Sequence, residues 1–201
     1  MAKYPLVSII VVTINTPQLT RNCLESVKRN TSIPYELIVV NNSMAKHIRQ
    51  CLRLFSGIKI IQNSKNLGYT KAANQGAKAS RGKFLCFLNS DTLVPPAWMK
   101  RLLKSFKGSG IGAVAPAAYV LRHPPGLSLN QKTVALFDQA IRQWHRGRQE
   151  IVPSLFGFCL VIPKKIMTRL GLFDERFFFG FEDVDYSHRL QLAGYRLVKV
   201  P

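Results

Sequence analysis

Acidic residues are scarce: ten Asp and Glu stand against 29 Lys and Arg among 201 residues, a formal net charge of +19. The imbalance implies an anionic partner, for which nucleic acid, a membrane surface and a phosphorylated small substrate all qualify. No apolar run approaches the ~20 residues that span a bilayer, and the start Met1-Ala2-Lys3-Tyr4-Pro5 lacks the apolar core of a secretory signal. These absences predict a cytoplasmic protein. The four cysteines, Cys23, Cys51, Cys86 and Cys159, lack the paired spacing of a zinc site or a redox dithiol, and read as buried thiols. Neither common Gly-rich phosphate loop is present, which counts against a kinase, a P-loop protein or a dinucleotide-binding dehydrogenase. Basic strands interleaved with aromatics are also missing, which disfavours nucleic acid.

What remains is a chain of ordinary apolar content, 47%, long enough for one domain with its own core. Leu6 to Ile14 is an unbroken β-branched run, the mark of a strand buried on both faces of a parallel sheet. Thr16 then reads as an N-cap with Pro17 in the first helical turn. Strands are predicted at Leu37 to Val40, Lys59 to Ile61, Phe84 to Leu88, Leu155 to Ile162 and Arg196 to Val200. Helices are predicted around Ile48, Leu52 and Phe55, from Ala72 to Ala79, after Pro95-Pro96, from about Gln131 to Trp144, from Pro163 to Leu170 and from Asp183 to Ala193. This alternation predicts an α/β, Rossmann-like, mostly parallel central sheet flanked by helices. Residues 116–150 break the rhythm, with Pro124-Pro125-Gly126 as a loop.

Half of the acids fall in one stretch, Asp174, Glu175, Glu182, Asp183 and Asp185, beside Phe177-Phe178-Phe179-Gly180-Phe181. An aromatic wall there can desolvate a carboxylate and raise its pKa toward that of a working base. Acids in a first helical turn also complement the macrodipole, and both readings stand. Asp183, Tyr186 and Leu190 share one helical face, which turns Asp183 inward.

Ligands of doubly wound sheets bind beyond the carboxyl ends of the strands. The polar residues there are Thr13 and Asn15, Asn41-Asn42-Ser43, Asn66-Leu67-Gly68, and Asn89-Ser90-Asp91. Each is also ordinary turn chemistry. Asp91 is the only acid between Glu36 and Asp138, placed where a carboxylate can hold one divalent cation against phosphates; the alternative is a helix N-cap. Lys100, Arg101, Lys104 and Lys107 form one face of a helix and Trp98, Leu102, Leu103 and Phe106 the other. That pattern fits a solvated surface or a peripheral contact with an anionic membrane. Arg142, His145, Arg146 and Arg148 make a second basic cluster.

Read together, five motifs resemble those of family 2 glycosyltransferases, in order and over nearly the whole chain. They are Val7 to Asn15, Glu36 to Ser43, Asn66-Leu67-Gly68-Tyr69 with Ala73-Asn74-Gln75-Gly76, Leu88-Asn89-Ser90-Asp91-Thr92, and Gly171 to Phe178 continuing through Phe181-Glu182-Asp183-Val184-Asp185. The resemblance implies a single GT-A domain over 1–201, with 1–94 as the nucleotide-binding half and 95–201 as the acceptor half carrying an insert at about 116–150. It implies an inverting enzyme that transfers a sugar from a nucleotide-diphosphate sugar to a hydroxyl of a glycan or lipid-linked acceptor, at the inner face of the membrane or in the cytoplasm. Thr13, Asn15, Asn41 and Asn42 would face base and ribose, and Asn66, Gly68 and Asn74 would close over the nucleotide. Asn89 and Asp91 match the motif that holds Mg2+ or Mn2+, Asp183 the acceptor-activating base, and Glu182 and Asp185 acceptor contacts. Two positions depart from the family pattern: Asn41 stands where Asp is usual, and Asn89 leaves Asp91 as the only charged metal ligand. The end at Pro201 reads as a trimmed or minimal form. These departures keep a second class open, a glycosyltransferase-like domain that binds a nucleotide sugar or a partner without turnover.

Overall fold

The computed structural model describes residues 5–117 and 130–201. The first residues, through Tyr4, and the Pro124-Pro125-Gly126 loop lie outside the described residues. The apolar run becomes β1 (Val7–Thr13), flanked in parallel by β2 (Tyr35–Asn41) and β4 (Phe84–Asn89), with β3 (Ile58–Gln62) parallel beyond β2. Between them run α1 (Pro17–Asn30), α2 (Lys46–Arg53) and α3 (Tyr69–Lys78). Thr16 occupies the N-cap position of α1, but its side chain makes no capping bond.

The second half is built on a different plan. It contains α4 (Trp98–Ser105), β5 (Ile111–Pro116), α5 (Gln131–Trp144), β6 (Glu150–Ile151), β7 (Cys159–Pro163), α6 (Lys164–Leu170), α7 (Glu182–Leu192) and β8 (Arg196–Val200). The sheet order is β3-β2-β1-β4-β7-β5-β8-β6. Strand β7 runs antiparallel to both β4 and β5, and β6 antiparallel to β8, while β5 and β8 are parallel. Sequence patterning predicts neither β5 nor β6. It also starts β7 too early. The Leu155 amide donates to Ser187 Oγ at 3.2 Å and the Gly157 amide to Asp183 Oδ2 at 2.7 Å, so α7 takes donors that a strand ladder would need.

Alternate residues of each strand feed two cores, one on each face of the sheet. Val7, Ile9 and Val11 join Cys86, Leu88 and Val161 beneath α1, α2 and α4. Ile10 joins Leu85, Phe87, Leu160 and Ile162 beneath α3, α6 and α7. Phe173 links the second core to the loop before α7, with its ring 4.7 Å from Phe87 and 5.2 Å from Tyr186. All four cysteines are buried and free, and burial pushes the Cys23 thiol up to about 12. On α4, Lys100 and Lys104 are exposed, whereas Arg101 leaves the basic face to pair with Asp138 of α5 at 2.7 Å. Asp138 also receives Arg142 at 3.1 Å. Among the described residues, no helix is long and apolar enough to cross a membrane.

Candidate functional site

The carboxyl ends of β1, β2 and β4 open onto one rim, where the turns after β2 and β3 are cross-linked by side-chain amides. Asn42 uses its full hydrogen-bonding capacity within the protein. Its Nδ2 donates to Asn66 Oδ1 at 2.8 Å and to the Gly68 carbonyl at 3.0 Å, and its Oδ1 accepts from Asn63 Nδ2 and the Leu67 amide, both at 3.0 Å. Asn41 Nδ2 donates to Gln62 Oε1 at 2.7 Å, and its Oδ1 accepts from the Ser43 amide at 3.2 Å. Asn63 and Gln75 exchange bonds of 2.9 and 3.0 Å. The lattice fixes Gly68, whose left-handed backbone (φ 82°) starts α3. A Cβ there would stand 2.6 Å from the Phe178 carbonyl oxygen, so glycine is required where the aromatic loop crosses α3. The Tyr69 amide donates to that same carbonyl at 2.8 Å.

Across the rim, Gly180 (φ 80°) and Phe181 (φ 67°) both adopt left-handed backbone immediately before α7. This phase buries Glu182, 7% exposed, and leaves Asp183 half-buried beside it. Burial, the Glu182 and Gly180 amides and the neighbouring Asp183 charge act together on Glu182; burial dominates and raises its carboxyl above the ordinary carboxylate range. Among the described residues its buried Oε2 has no hydrogen-bond partner. Asp183 is held from both sides, by the Gly157 amide at 2.7 Å and by the Val184 amide at 2.9 Å to Oδ1. A Cβ on Gly157 would lie 3.2 Å from Asp183 Oδ2, so this glycine admits the carboxylate. Tyr69 is pushed well above its usual phenol range, first by burial and then by the charges of Glu182 and Asp183.

Two cavities result. One, of about 370 Å³, is lined by Asn42, Asn66, Gly68, Ser90, Asp91 and Phe178 among others. Its neighbour, of about 430 Å³, is lined by Phe156, Gly157, Phe158, Gly180, Glu182 and Asp183. Tyr69, Asn89 and Phe179 border both. Asp91 and Asp183, 92 residues apart in sequence, therefore occupy adjoining compartments.

The model of glycosyl transferase family 2 matches residues 8–167, most of the chain. The chain belongs to that family. It is 27% identical over 213 aligned residues to the O-antigen biosynthesis protein RfbC of Myxococcus xanthus, covering 96% of this chain and 16% of that protein. Its fold is similar to that of the mannosyltransferase PcManGT from Pyrobaculum calidifontis in complex with GDP-Man and Mn2+ (TM-score 0.73, 19% identity, 100% of this chain and 56% of that one). It is similar also to GalNAc-T7 with UDP, GalNAc and Mn2+ (TM-score 0.77, 19% identity, 98% and 42%). The chain thus spans only part of each relative's length, and the architecture is GT-A.

Within this family 2 chain the expected site residues separate into three groups. Asn42, Asn66, Gly68, Asn89, Asp91, Glu182 and Asp183 line the two cavities. Thr13, Asn15 and Asn41 line neither cavity: buried Thr13 shares a 2.6 Å bond with Thr20, and Asn15, itself exposed, accepts at Oδ1 from Ser43 Oγ at 2.5 Å. Asn74 and Asp185 are tied elsewhere. Asn74 bonds the Phe173 carbonyl at 2.9 Å and Glu175 at 3.2 Å, and Asp185 pairs with Arg189 at 2.9 Å. Asp174 and Glu175 belong to the incoming turn, and the Arg176 guanidinium and amide lower the Asp174 carboxyl to about 2. From the sequence, Tyr69 stands only as part of a motif, with no role of its own, and neither Phe156 nor Gly157 is singled out. The glycine between two phenylalanines in an apolar run was the available signal, since glycine in a strand pattern marks a close approach.

Among the described residues, no group of three or more His, Cys, Asp or Glu gathers to hold a metal. The donor set here, one exposed carboxylate lining an open cleft, fits a hard cation only if substrate oxygens complete its coordination.

Proposed function

We propose that this chain transfers a sugar, with inversion, from a nucleotide-diphosphate sugar to a hydroxyl of a glycan or lipid-linked acceptor in envelope polysaccharide synthesis. The observation that carries this reading is the shared wall: Asp91 in one cavity, Asp183 in the next, with Tyr69, Asn89 and Phe179 between them. Asp183 accepts the proton of the acceptor hydroxyl as that oxygen bonds to the anomeric carbon, and the bond from that carbon to the diphosphate oxygen breaks. The Gly157 and Val184 amides keep the Asp183 carboxylate aimed during this displacement. Asp91 would hold Mg2+ or Mn2+ together with the donor's phosphates. Bound there, the cation supplies positive charge to the departing diphosphate. The nucleotides bound by the two structural neighbours support a donor of this class. The exposed Lys100, Lys104 and Lys107 support a cytoplasmic protein that touches an anionic membrane peripherally.

A panel of nucleotide-diphosphate sugars with and without Mn2+ tests the reading through ligand-linked thermal stability. Asp91→Ala abolishes the Mn2+-dependent part of the donor's shift, and Asp183→Asn keeps that shift while transfer drops by about 10²- to 10⁴-fold. Near-normal transfer by Asp183→Asn would remove the base assignment. The second reading, binding without turnover, is favoured by the single carboxylate at the metal position. It predicts donor-induced stabilisation with no transfer to any acceptor.

A further inference from the structure

The cavity that ends on Asp183 has an unusual mouth. Phe156 and Phe179 both border it, yet 70% of Phe156 and 82% of Phe179 face solvent. Phe178, which lines the adjoining cavity, and Phe181 are exposed on the same loop, at 59% and 71%. Exposed apolar area of this size is costly to leave in water, so two exposed rings at one opening mark a binding surface. The backbone behind them is anchored. The Phe178 carbonyl accepts from Tyr69 at 2.8 Å, and Gly157, next to Phe156, donates to Asp183 at 2.7 Å. The rings are thus presented by a preorganised frame.

Charge decides what this surface takes. Of the five acids on the loop and helix that carry Phe179 and Phe181, Asp174 pairs with Arg176 and Asp185 with Arg189, which leaves Glu175, Glu182 and Asp183 without a cationic partner among the described residues, and Asp91 lines the adjoining cavity. An anionic lipid surface or a phosphorylated or uronic acceptor meets like charge here. A bare alkyl chain would cover two carboxylates without satisfying them, which is costly. The ligand that suits apolar walls and a floor of acceptor oxygens is uncharged, has an apolar face and carries hydroxyls at its edge. A pyranose ring has that form.

We infer that Phe156 and Phe179 form an aromatic seat for an uncharged pyranose residue of the acceptor, with the half-buried Asp183 receiving a hydroxyl at its edge. This rests on the transfer reading above and narrows its acceptor. The basic face of α4 is then free to serve a different contact, and the catalytic mouth itself does not lie against an anionic bilayer.

The test measures acceptor-side binding without donor, on the full chain, by saturation-transfer NMR with the methyl pyranosides of glucose, galactose and mannose. Methyl glucuronide and vesicles containing phosphatidylglycerol are the other two arms. At least one neutral pyranoside binds in the millimolar range, and Phe156→Ala and Phe179→Ala each weaken it about fivefold to tenfold. Phe179→Tyr retains binding. Thermal midpoints of the variants confirm that they are folded. The seat is overturned if no neutral pyranoside binds, if both alanine variants bind like the parent, or if the glucuronide or the vesicles are what the alanine variants lose. Donor-induced thermal shift, measured separately, reports on the transfer reading. A protein that binds pyranosides through these rings but no nucleotide sugar would keep the seat and sink the transferase.

Discussion

The two cavities share a wall but are made of opposite materials. The wall of the Asp91 cavity is backed by a lattice of amides in which Asn42 alone makes four internal hydrogen bonds. The Asp183 cavity is lined by open phenylalanines and two adjacent acids, one of which keeps an oxygen unpartnered among the described residues. A saturated lattice is stiff, because each buried polar group that loses its partner carries a desolvation penalty. The Asp183 cavity leaves its aromatic area uncovered, and under the proposed seat that area serves a ligand and not the fold. Side chains behind the Asp91 cavity hold shape, whereas the rings of the Asp183 cavity stand open.

That contrast can be broken at defined points. The largest stability effect is expected from Asn42→Ala, which strands donors and acceptors from Asn63, Asn66, Leu67 and Gly68; a loss of about 3 kcal/mol in chemical denaturation is expected. Gly68→Ala forces a side chain onto left-handed backbone and against the Phe178 carbonyl, at a cost of about 2 kcal/mol. Donor affinity falls with it as the aromatic loop shifts, measured by nucleotide-linked thermal shift. Gly157→Ala is milder in stability, about 1 kcal/mol. Its methyl displaces Asp183, so transfer falls while donor binding holds, a division that steady-state kinetics resolves.

Glu182→Gln reverses the sign. The folded state holds the Glu182 proton more tightly than the unfolded chain, so wild-type stability from this group is present at low pH and is lost as pH rises through the raised folded pKa. The glutamine variant is therefore the more stable protein at neutral pH, and the two midpoints converge below the ordinary carboxylate range. A thermal-melt series across pH checks this, and equal midpoints at neutral pH would show that Glu182 is not penalised by burial. The smallest effect is expected at Phe156→Ala, within about 0.5 kcal/mol of the parent, because an exposed ring supports little of the fold.

The parallel half was readable because β1 is a continuous β-branched run buried on both faces, and only one kind of sheet needs such a strand. Strand β5 was not, since Ile111-Gly112-Ala113-Val114-Ala115-Pro116 is short and small-residued and its burial comes from neighbours placed by topology. Strand direction leaves no trace in hydropathy, which hid the reversal at β7. In the candidate site the identity of the acidic pair was legible and its geometry was not. Helical spacing faced Asp183 inward with Tyr186 and Leu190, but the left-handed Phe181 sets the phase of α7 and buries Glu182 instead. The strand-end asparagines were visible as a set. Their division into cavity lining at Asn42, Asn66 and Asn89, and framework at Asn15, Asn41 and Asn74, depends on partners such as Gln62, Asn63 and Phe173 that no local pattern names.

The reversed strand β7 bears on how the chain is born. Strand β4 ends at Asn89, and the partner for its outer edge begins at Cys159, 70 residues later. At a synthesis rate of about 5–20 residues per second, roughly 4–14 s pass in which the nascent sheet presents the apolar edge Phe84-Leu85-Cys86-Phe87-Leu88 unpaired. An open, uncharged edge is a template for pairing with another chain. Slower translation before β7 lengthens that exposure, and a factor that covers the edge of β4 shortens it.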